Sequence, residues 1–339
     1  MLQRRLPMSE PALDRATAAL YGLAIGDALG MPTQLLSPAQ VVDRFGALDG
    51  FRPADADHPI AAGMPAGSVT DDTEQAILLA EALLAGGGHV NAMAFARALV
   101  AWEDDMRLRG SLDLLGPSTK AAVAAVLAGE PVETTGRAGA TNGAAMRVTP
   151  VGILMGSADI PALIDRTVEA SLVTHNTGVA IAGASAVAAA VSAGIDGATV
   201  EEATRIAVTA AAAGESRGNW VAAASVSRRI ELAISLADPS DRNASLLRIG
   251  GVIGTSLATQ ESVPAAFGFL AVFPDDPWTA CLAAAAQGGD SDTVAAMTGA
   301  IAGACTGMSG FPPSAIATIR AVNDLDLDGL AIRLLALRT

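Results

Sequence analysis

Cysteine is nearly missing from this sequence: Cys281 and Cys305 are the two thiols in 339 residues. So sparse a pair excludes the disulfide framework of a small secreted domain, and the spacing is not that of a zinc site. A reducing cytoplasm is therefore the expected compartment. Histidine is almost as scarce, with His58, His89 and His175 alone, so a hard-metal site with oxygen ligands is favoured over zinc or copper. Aromatic residues make up 3% of the chain, although hydrophobic residues make up 51%. Apolar volume must then come from Ala, Leu, Val and Ile among 35 glycines, which favours closely packed helices over sheets. Basic residues are few as well: 21 Lys and Arg against 35 Asp and Glu leave a net charge of −14. That balance argues against non-specific nucleic-acid binding, which needs a basic footprint. An anionic substrate would need local help from metal ions, Arg or helix N-termini.

Long apolar runs are also few. The longest uncharged stretch, Thr177 to Ile195, is rich in Ala, Gly, Ser and Thr, and its weak hydrophobicity suits a buried helix of a soluble protein better than a membrane span. Gly22 and Gly26 stand four apart like a membrane pairing motif, but the neighbouring Asp27 points to close packing between soluble helices. At the N-terminus Pro7, Glu10 and Asp14 interrupt the region where a signal peptide would need its apolar core. The chain reads as a single domain over residues 11–338, preceded by a flexible segment at 1–10.

Apolar spacing predicts helices from about Pro11 to Pro32, Asn91 to Arg109, Lys120 to Leu127, Asp159 to Val173, Thr199 to Ala213, Trp220 to Leu236, Arg242 to Ala258, Pro264 to Val272, Trp278 to Ala286, Pro313 to Val322 and Leu327 to Leu337. No run alternates well enough to be a strand. Gln34 to Pro65 and Glu130 to Ala140 read as loops, the first over the mouth of a site.

Two acidic stretches stand at helix starts. Gly288-Gly289-Asp290-Ser291-Asp292-Thr293 precedes Val294, Met297 and Ile301, and Thr70-Asp71-Asp72-Thr73 precedes Ile77, Leu78, Leu83 and Leu84. Capping one helix needs one Asp, so two matching acidic starts suggest one shared site. Thr70, Asp71, Asp72, Asp290, Asp292 and Thr293 are all oxygen donors, suited to Mg²⁺ or Mn²⁺. Four carboxylates in one place repel unless divalent cations neutralise them, and two such ions can lower the pKa of a bridging water. Metal-assisted hydrolysis follows, of an unspecified bond. Asp27 ends the first helix against its dipole and calls for a metal, an Arg or a ligand hydroxyl. Asn142 and Gly143 beside Arg147 present amide, backbone N–H and guanidinium together, a combination suited to a phosphate or a ribose.

Taken in order, Gly22-x-x-x-Gly26-Asp27-Ala28-Leu29-Gly30, Thr70-Asp71-Asp72-Thr73, Asn142-Gly143-Ala144-Ala145-Met146-Arg147, Thr174-His175 and Gly288 to Thr293 resemble the ADP-ribosylglycohydrolase family. That family includes the dinitrogenase reductase-activating glycohydrolases, the ADP-ribosyl-acceptor hydrolases and the J1 crystallins. The resemblance implies an all-α orthogonal multi-helix bundle with a dinuclear metal cleft holding two Mg²⁺ or Mn²⁺ ions. By position it makes Thr70, Asp71, Asp72, Asp290, Asp292 and Thr293 the metal ligands. It sets Asp27, Gln34, Asn142, Gly143, Met146, Arg147, His175, Gly289 and Ser291 on the substrate, and makes Asp113 similar to a loop aspartate near the catalytic centre. The implied reaction is hydrolysis of an N- or O-ribosyl bond in an ADP-ribosylated protein or an ADP-ribose derivative. Several members carry Glu where this chain has Gln34, which cannot take a proton, so Asp71, Asp72 or Asp113 would assist the water. The alternatives are a hydrolase of a smaller N-riboside or nucleoside, and a non-catalytic crystallin-like binding protein.

Overall fold

The computed structural model describes residues 9–109 and 115–339, so most of the expected N-terminal segment and the whole loop around Asp113 lie outside the described residues. Helices carry the fold: α1 (Glu10–Gly30), α2 (Pro38–Phe45), α3 (Asp71–Ala85), α4 (Ala92–Leu108), α5 (Pro117–Leu127), α6 (Val132–Thr135), α7 (Gly143–Met146), α8 (Thr149–Leu154) and α9 (Ile160–Ser171). They continue as α10 (Gly178–Ile195), α11 (Val200–Gly214), α12 (Val226–Ser235), α13 (Arg242–Arg248), α14 (Thr259–Val272), α15 (Pro277–Ala285), α16 (Ser291–Thr306), α17 (Pro313–Val322) and α18 (Leu327–Leu335). Among the described residues β structure is confined to two isolated bridges, Thr141 with Ala258 and Thr177 with Asn219. The expected all-α class is what the chain forms.

The long first helix and α16 run antiparallel in backbone contact. A Cβ on Gly22 would sit 2.1 Å from the carbonyl oxygen of Gly299, and one on Gly26 would sit 1.9 Å from that of Ala295. On the other side, a Cβ on Gly303 would fall 2.1 Å from the carbonyl oxygen of Ala18. The glycine spacing therefore serves close packing of two buried helices, as the sequence suggested. All 18 residues of α10 are buried, which settles the long uncharged run as a core helix. Leu20, Leu23, Ile25 and Leu29 of α1 share the core with Val187 and Val191 of α10, Phe267 and Phe269 of α14, and Met297 and Ile301 of α16.

Several expected boundaries change. The loop over 34–65 contains α2, started by a capping box in which Ser37 and Gln40 satisfy one another's backbone N–H groups. Trp220 is not helical: Asn219 exchanges backbone hydrogen bonds with Asn176 and Gly178, and the helix begins only at Val226. The stretch expected as one helix from Arg242 ends in a π-helical turn over Ile249–Ile253, closed by Gly254 at φ +86°. Pro264 lies inside α14, which starts five residues earlier, at Thr259. The 130–140 loop includes the single turn α6.

Gly26→Ala should destabilise the protein by about 3 kcal/mol or more, because the new methyl meets a carbonyl held in the core. Gly50→Ala, with no atom within 4 Å of its Cβ, should change stability by less than about 0.5 kcal/mol. Urea unfolding of the two variants checks this, and equal stabilities would mean that α1 and α16 are free to separate.

Candidate active site

The close pairing of α1 with α16 brings the end of one against the start of the other: a Cβ on Gly30 would lie 2.3 Å from the Cα of Asp292. The turn before α16 is held on both flanks. Gly289 donates its N–H to Leu36 O at 2.8 Å and accepts from Leu35 N at 2.6 Å, while Asp290 N donates to Thr255 O at 2.7 Å. Gly288 and Gly289 have φ of +65° and +67°, and side chains there would strike Leu36 O and Thr255 O. Ser291 is fully buried, hydrogen-bonded to Thr33 Oγ1 at 2.9 Å and to Gly30 O at 3.2 Å. Gly289 and Ser291, expected on the substrate, thus spend their polar groups on the fold.

Asp27 plays an equivalent part for α3. The helix has no side-chain cap from Thr70. Instead both oxygens of Asp27 accept from Thr70 N at 3.0 Å, and Asp27 also accepts from Thr73 N at 3.2 Å and from the hydroxyls of both threonines. The partner that a carboxylate at the end of α1 requires is therefore the N-terminus of another helix, where a negative charge is favoured. Burial still pushes Asp27 up to about 6, against the pull of these donors.

The two acidic stretches meet at Asp72. Its Oδ2 lies 3.3 Å from both Thr70 Oγ1 and Thr293 Oγ1, so one carboxylate sits between the start of α3 and the start of α16. Asp72 is fully buried, and its Oδ1 has no hydrogen-bond partner among the described residues. Burial, and then the charges of Asp292, Asp71, Asp27 and Asp290, hold its proton affinity well above the usual carboxylate range. Asp290 is also raised by burial, against donation from Asn142 and Thr293. Asp71 accepts from Gln75 Nε2 at 2.8 Å, and Asp292 accepts from Thr293 N at 2.9 Å. Among the described residues no three or more His, Cys, Asp or Glu side chains are arranged to hold a metal ion by themselves. The donors are all oxygen and include threonine hydroxyls, so in chemistry they fit a hard divalent cation.

A second wall comes from α7 and the segment before α10. Asn142 Nδ2 donates to Asp290 Oδ2 and, at 3.1 Å, to Ser262 Oγ. Gly143 lies on the His175 ring, where a Cβ would be 2.8 Å from Cε1, and Met146 is buried. Two of the residues expected on the substrate are enclosed here. Arg147 is fully buried, 5.1 Å over the Phe95 ring, donating to Gln75 and Thr174, so its guanidinium is part of the core. Burial lowers it to about 10, with the Asp71 charge opposing. His175 is fully buried between Thr174 and Thr141, and burial together with the Arg147 charge keeps it neutral. Gln34 is buried with its carbonyl on His58, and its Nε2 has no partner among the described residues. Gln75, Thr141, Thr174 and Ser262 were not foreseen. Gln75 was within reach of sequence reasoning, being one helical turn after Asp71.

The ADP-ribosylglycohydrolase family pattern matches residues 8–339. The uncharacterized protein YegU of Escherichia coli (strain K12) is 35% identical over 95% of this chain and 96% of its own. The ADP-ribosylarginine hydrolase Tri1 of Pseudomonas putida (strain GB-1) is 29% identical over 90% of this chain and 74% of its own. A solved structure described as an ADP-ribosylglycohydrolase-related protein complex covers 98% of this chain and 100% of its own with a TM-score of 0.69 at 24% identity, a likeness of fold.

The raised carboxylates make a pH dependence with a definite sign. Asp27 binds its proton more tightly folded than unfolded, so its contribution is fully present below its ordinary value of 3.8 and is lost as pH rises through about 6. In chelator, urea unfolding of the wild type relative to Asp27→Asn should lose about 2 kcal/mol between pH 4 and 6.5. A flat or rising difference would show that Asp27 is not held in this buried setting.

Proposed function

The chain belongs to the ADP-ribosylglycohydrolase family and is a glycosidase-type hydrolase; from that premise we propose that it is a divalent-metal-dependent hydrolase of an N- or O-ribosyl bond in an ADP-ribosylated protein or ADP-ribose derivative. The observation that carries the reading is Asp72, a buried carboxylate with one oxygen unpartnered among the described residues and with Asp292, Asp71, Asp27 and Asp290 raising its proton affinity. Such a group calls for a cation. Thr70, Asp71, Asp72, Asp290, Asp292 and Thr293 would hold two Mg²⁺ or Mn²⁺ ions. When bound, these supply charge neutralisation and a water of lowered pKa.

The remaining chemistry belongs to side chains. Asp72 is sealed from solvent, whereas Asp71 is half-buried and anchored by Gln75, which supports Asp71 over Asp72 as the carboxylate that takes the proton of an attacking water; Asp113 lies outside the described residues. Gln34 cannot exchange a proton, but its buried Nε2 is a donor for a ribosyl or water oxygen. Asn142 stands between Asp290 and Ser262 and orients that carboxylate. A cytoplasmic setting accords with the two free, buried thiols.

One observation favours a second reading. Arg147, the cation expected to meet a diphosphate, is enclosed in the core. A smaller N-riboside, lacking the diphosphate, would not need it.

Release of ADP-ribose from ADP-ribosyl-arginine, ADP-ribosyl-serine and O-acetyl-ADP-ribose, beside a panel of ribonucleosides, separates the two readings when each is run with Mg²⁺, Mn²⁺ or chelator. Metal-dependent turnover of an ADP-ribosyl compound is expected, with Asp292→Ala losing both bound metal and at least about 100-fold in rate, the scale of one key electrostatic group. Turnover of nucleosides alone selects the second reading. Full metal content and activity in Asp292→Ala would sink the ligand assignment.

A further inference from the structure

Arg147 is a large, fully buried side chain that can only donate hydrogen bonds, and two chains of them leave it. On one side Nη1 donates to Gln75 Oε1 at 3.2 Å, and Gln75 Nε2 donates to Asp71 Oδ2 at 2.8 Å. A cation at one end of that amide and a carboxylate at the other allow a single orientation. On the other side Nη2 donates to Thr174 Oγ1 at 2.5 Å, Thr174 Oγ1 lies 2.8 Å from His175 Nδ1, and His175 Nε2 lies 2.9 Å from Thr141 Oγ1.

The direction of this second chain follows from its first member. Thr174 Oγ1 accepts from Arg147, and His175 Nδ1 is the acceptor for the threonine's own buried proton among the described residues. With Nδ1 accepting, the neutral ring carries its proton on Nε2 and donates to Thr141 Oγ1. Thr141 then accepts from the interior, and its own hydroxyl proton is turned outward. Any side chain at Gly143 would strike the Cε1–Nε2 edge of this ring. Thr141 is half-buried, and the next residue, Asn142, holds Asp290.

We propose that Thr141 is a substrate-binding residue, its hydroxyl preset as a hydrogen-bond donor to an oxygen of the ribosyl substrate by the relay Arg147–Thr174–His175. The assignment rests on the reading above that a ribosyl compound enters at the carboxylate cluster. Arg147 and His175 are positioning residues: one buried cation sets the Asp71 side of the site through Gln75 and the Asn142 side through Thr141.

The first readout needs no substrate. The chain has three histidines, so the ¹⁵N signals of His175 can be assigned with His58→Gln and His89→Gln. At pH 7 the ring should carry its proton on Nε2 with Nδ1 bare, and a proton on Nδ1, or a charged ring, overturns the relay. The second readout is calorimetric binding of ADP-ribose with Mg²⁺ present. Thr141→Val should bind roughly threefold to tenfold more weakly, the worth of one neutral hydrogen bond. Thr141→Ser should bind and melt like the wild type, whereas Thr141→Val, which leaves the buried Nε2–H of His175 without an acceptor, should melt somewhat lower while staying folded. Equal affinity of Thr141→Val and the wild type overturns the role of Thr141 while leaving the functional reading in place. A wild type that binds no ADP-ribose sinks the functional reading and the role of Thr141 together, whatever the ring tautomer.

Discussion

Everything at the site depends on two backbones touching. Gly22, Gly26 and Gly30 on α1 face Gly299, Ala295 and Asp292 on α16 with no room for a side chain between them. Contact that close fixes the register of one helix against the other to a fraction of a turn, since a Cβ at any of the three glycines would meet the partner's backbone. The register decides where Asp27, at the end of α1, and Asp290 and Asp292, at the start of α16, come to lie. A looser interface filled by side chains would tolerate a shift of an ångström or more, and the carboxylates would shift with it.

On that frame four of the acids are held by neutral donors. Asp27 is held by Thr70 and Thr73, Asp290 by Asn142, Asp71 by Gln75, and Asp72 by two threonine hydroxyls. Neutral donors fix geometry without cancelling charge, so Asp72 and Asp290 keep the raised proton affinities that burial imposes. Arg147 reaches Asp71 through an intervening amide, and lies over Phe95 as well. The result is a buried acidic centre in a chain that is itself strongly acidic.

The errors of sequence reading fall into two kinds. Arg147 and His175 look, in a linear string, like the polar residues most able to grip an anionic substrate; in space they are inside, where Phe95, Gln75, Thr174 and Thr141 meet them, although Arg147 Nε has no partner among the described residues. Trp220 looked like part of a helix because its spacing suits one, yet Asn219 is taken by backbone bonds to the segment around Asn176. In both cases a deciding partner lies outside any local window, 72 residues away for Gln75 and Arg147 and 43 for Asn176 and Asn219. By contrast Ser37-Pro38 with Gln40 held a full capping box, a purely local signal for α2 that the Pro, Gly and Asp content of the segment obscured.

By itself the sequence determined the class of fold, through an apolar fraction made of small aliphatic residues, and the kind of donor at the site, because oxygen ligands are nearly all it offers. It also determined that the two acidic stretches begin helices, since capping and helical periodicity act within a few residues. Only the tertiary structure decided that these starts share Asp72, that Asp27 serves α3 and that the guanidinium of Arg147 faces inward. Those outcomes are set by burial and by hydrogen bonds between distant segments, whose free energy depends on packing that no local window of sequence contains.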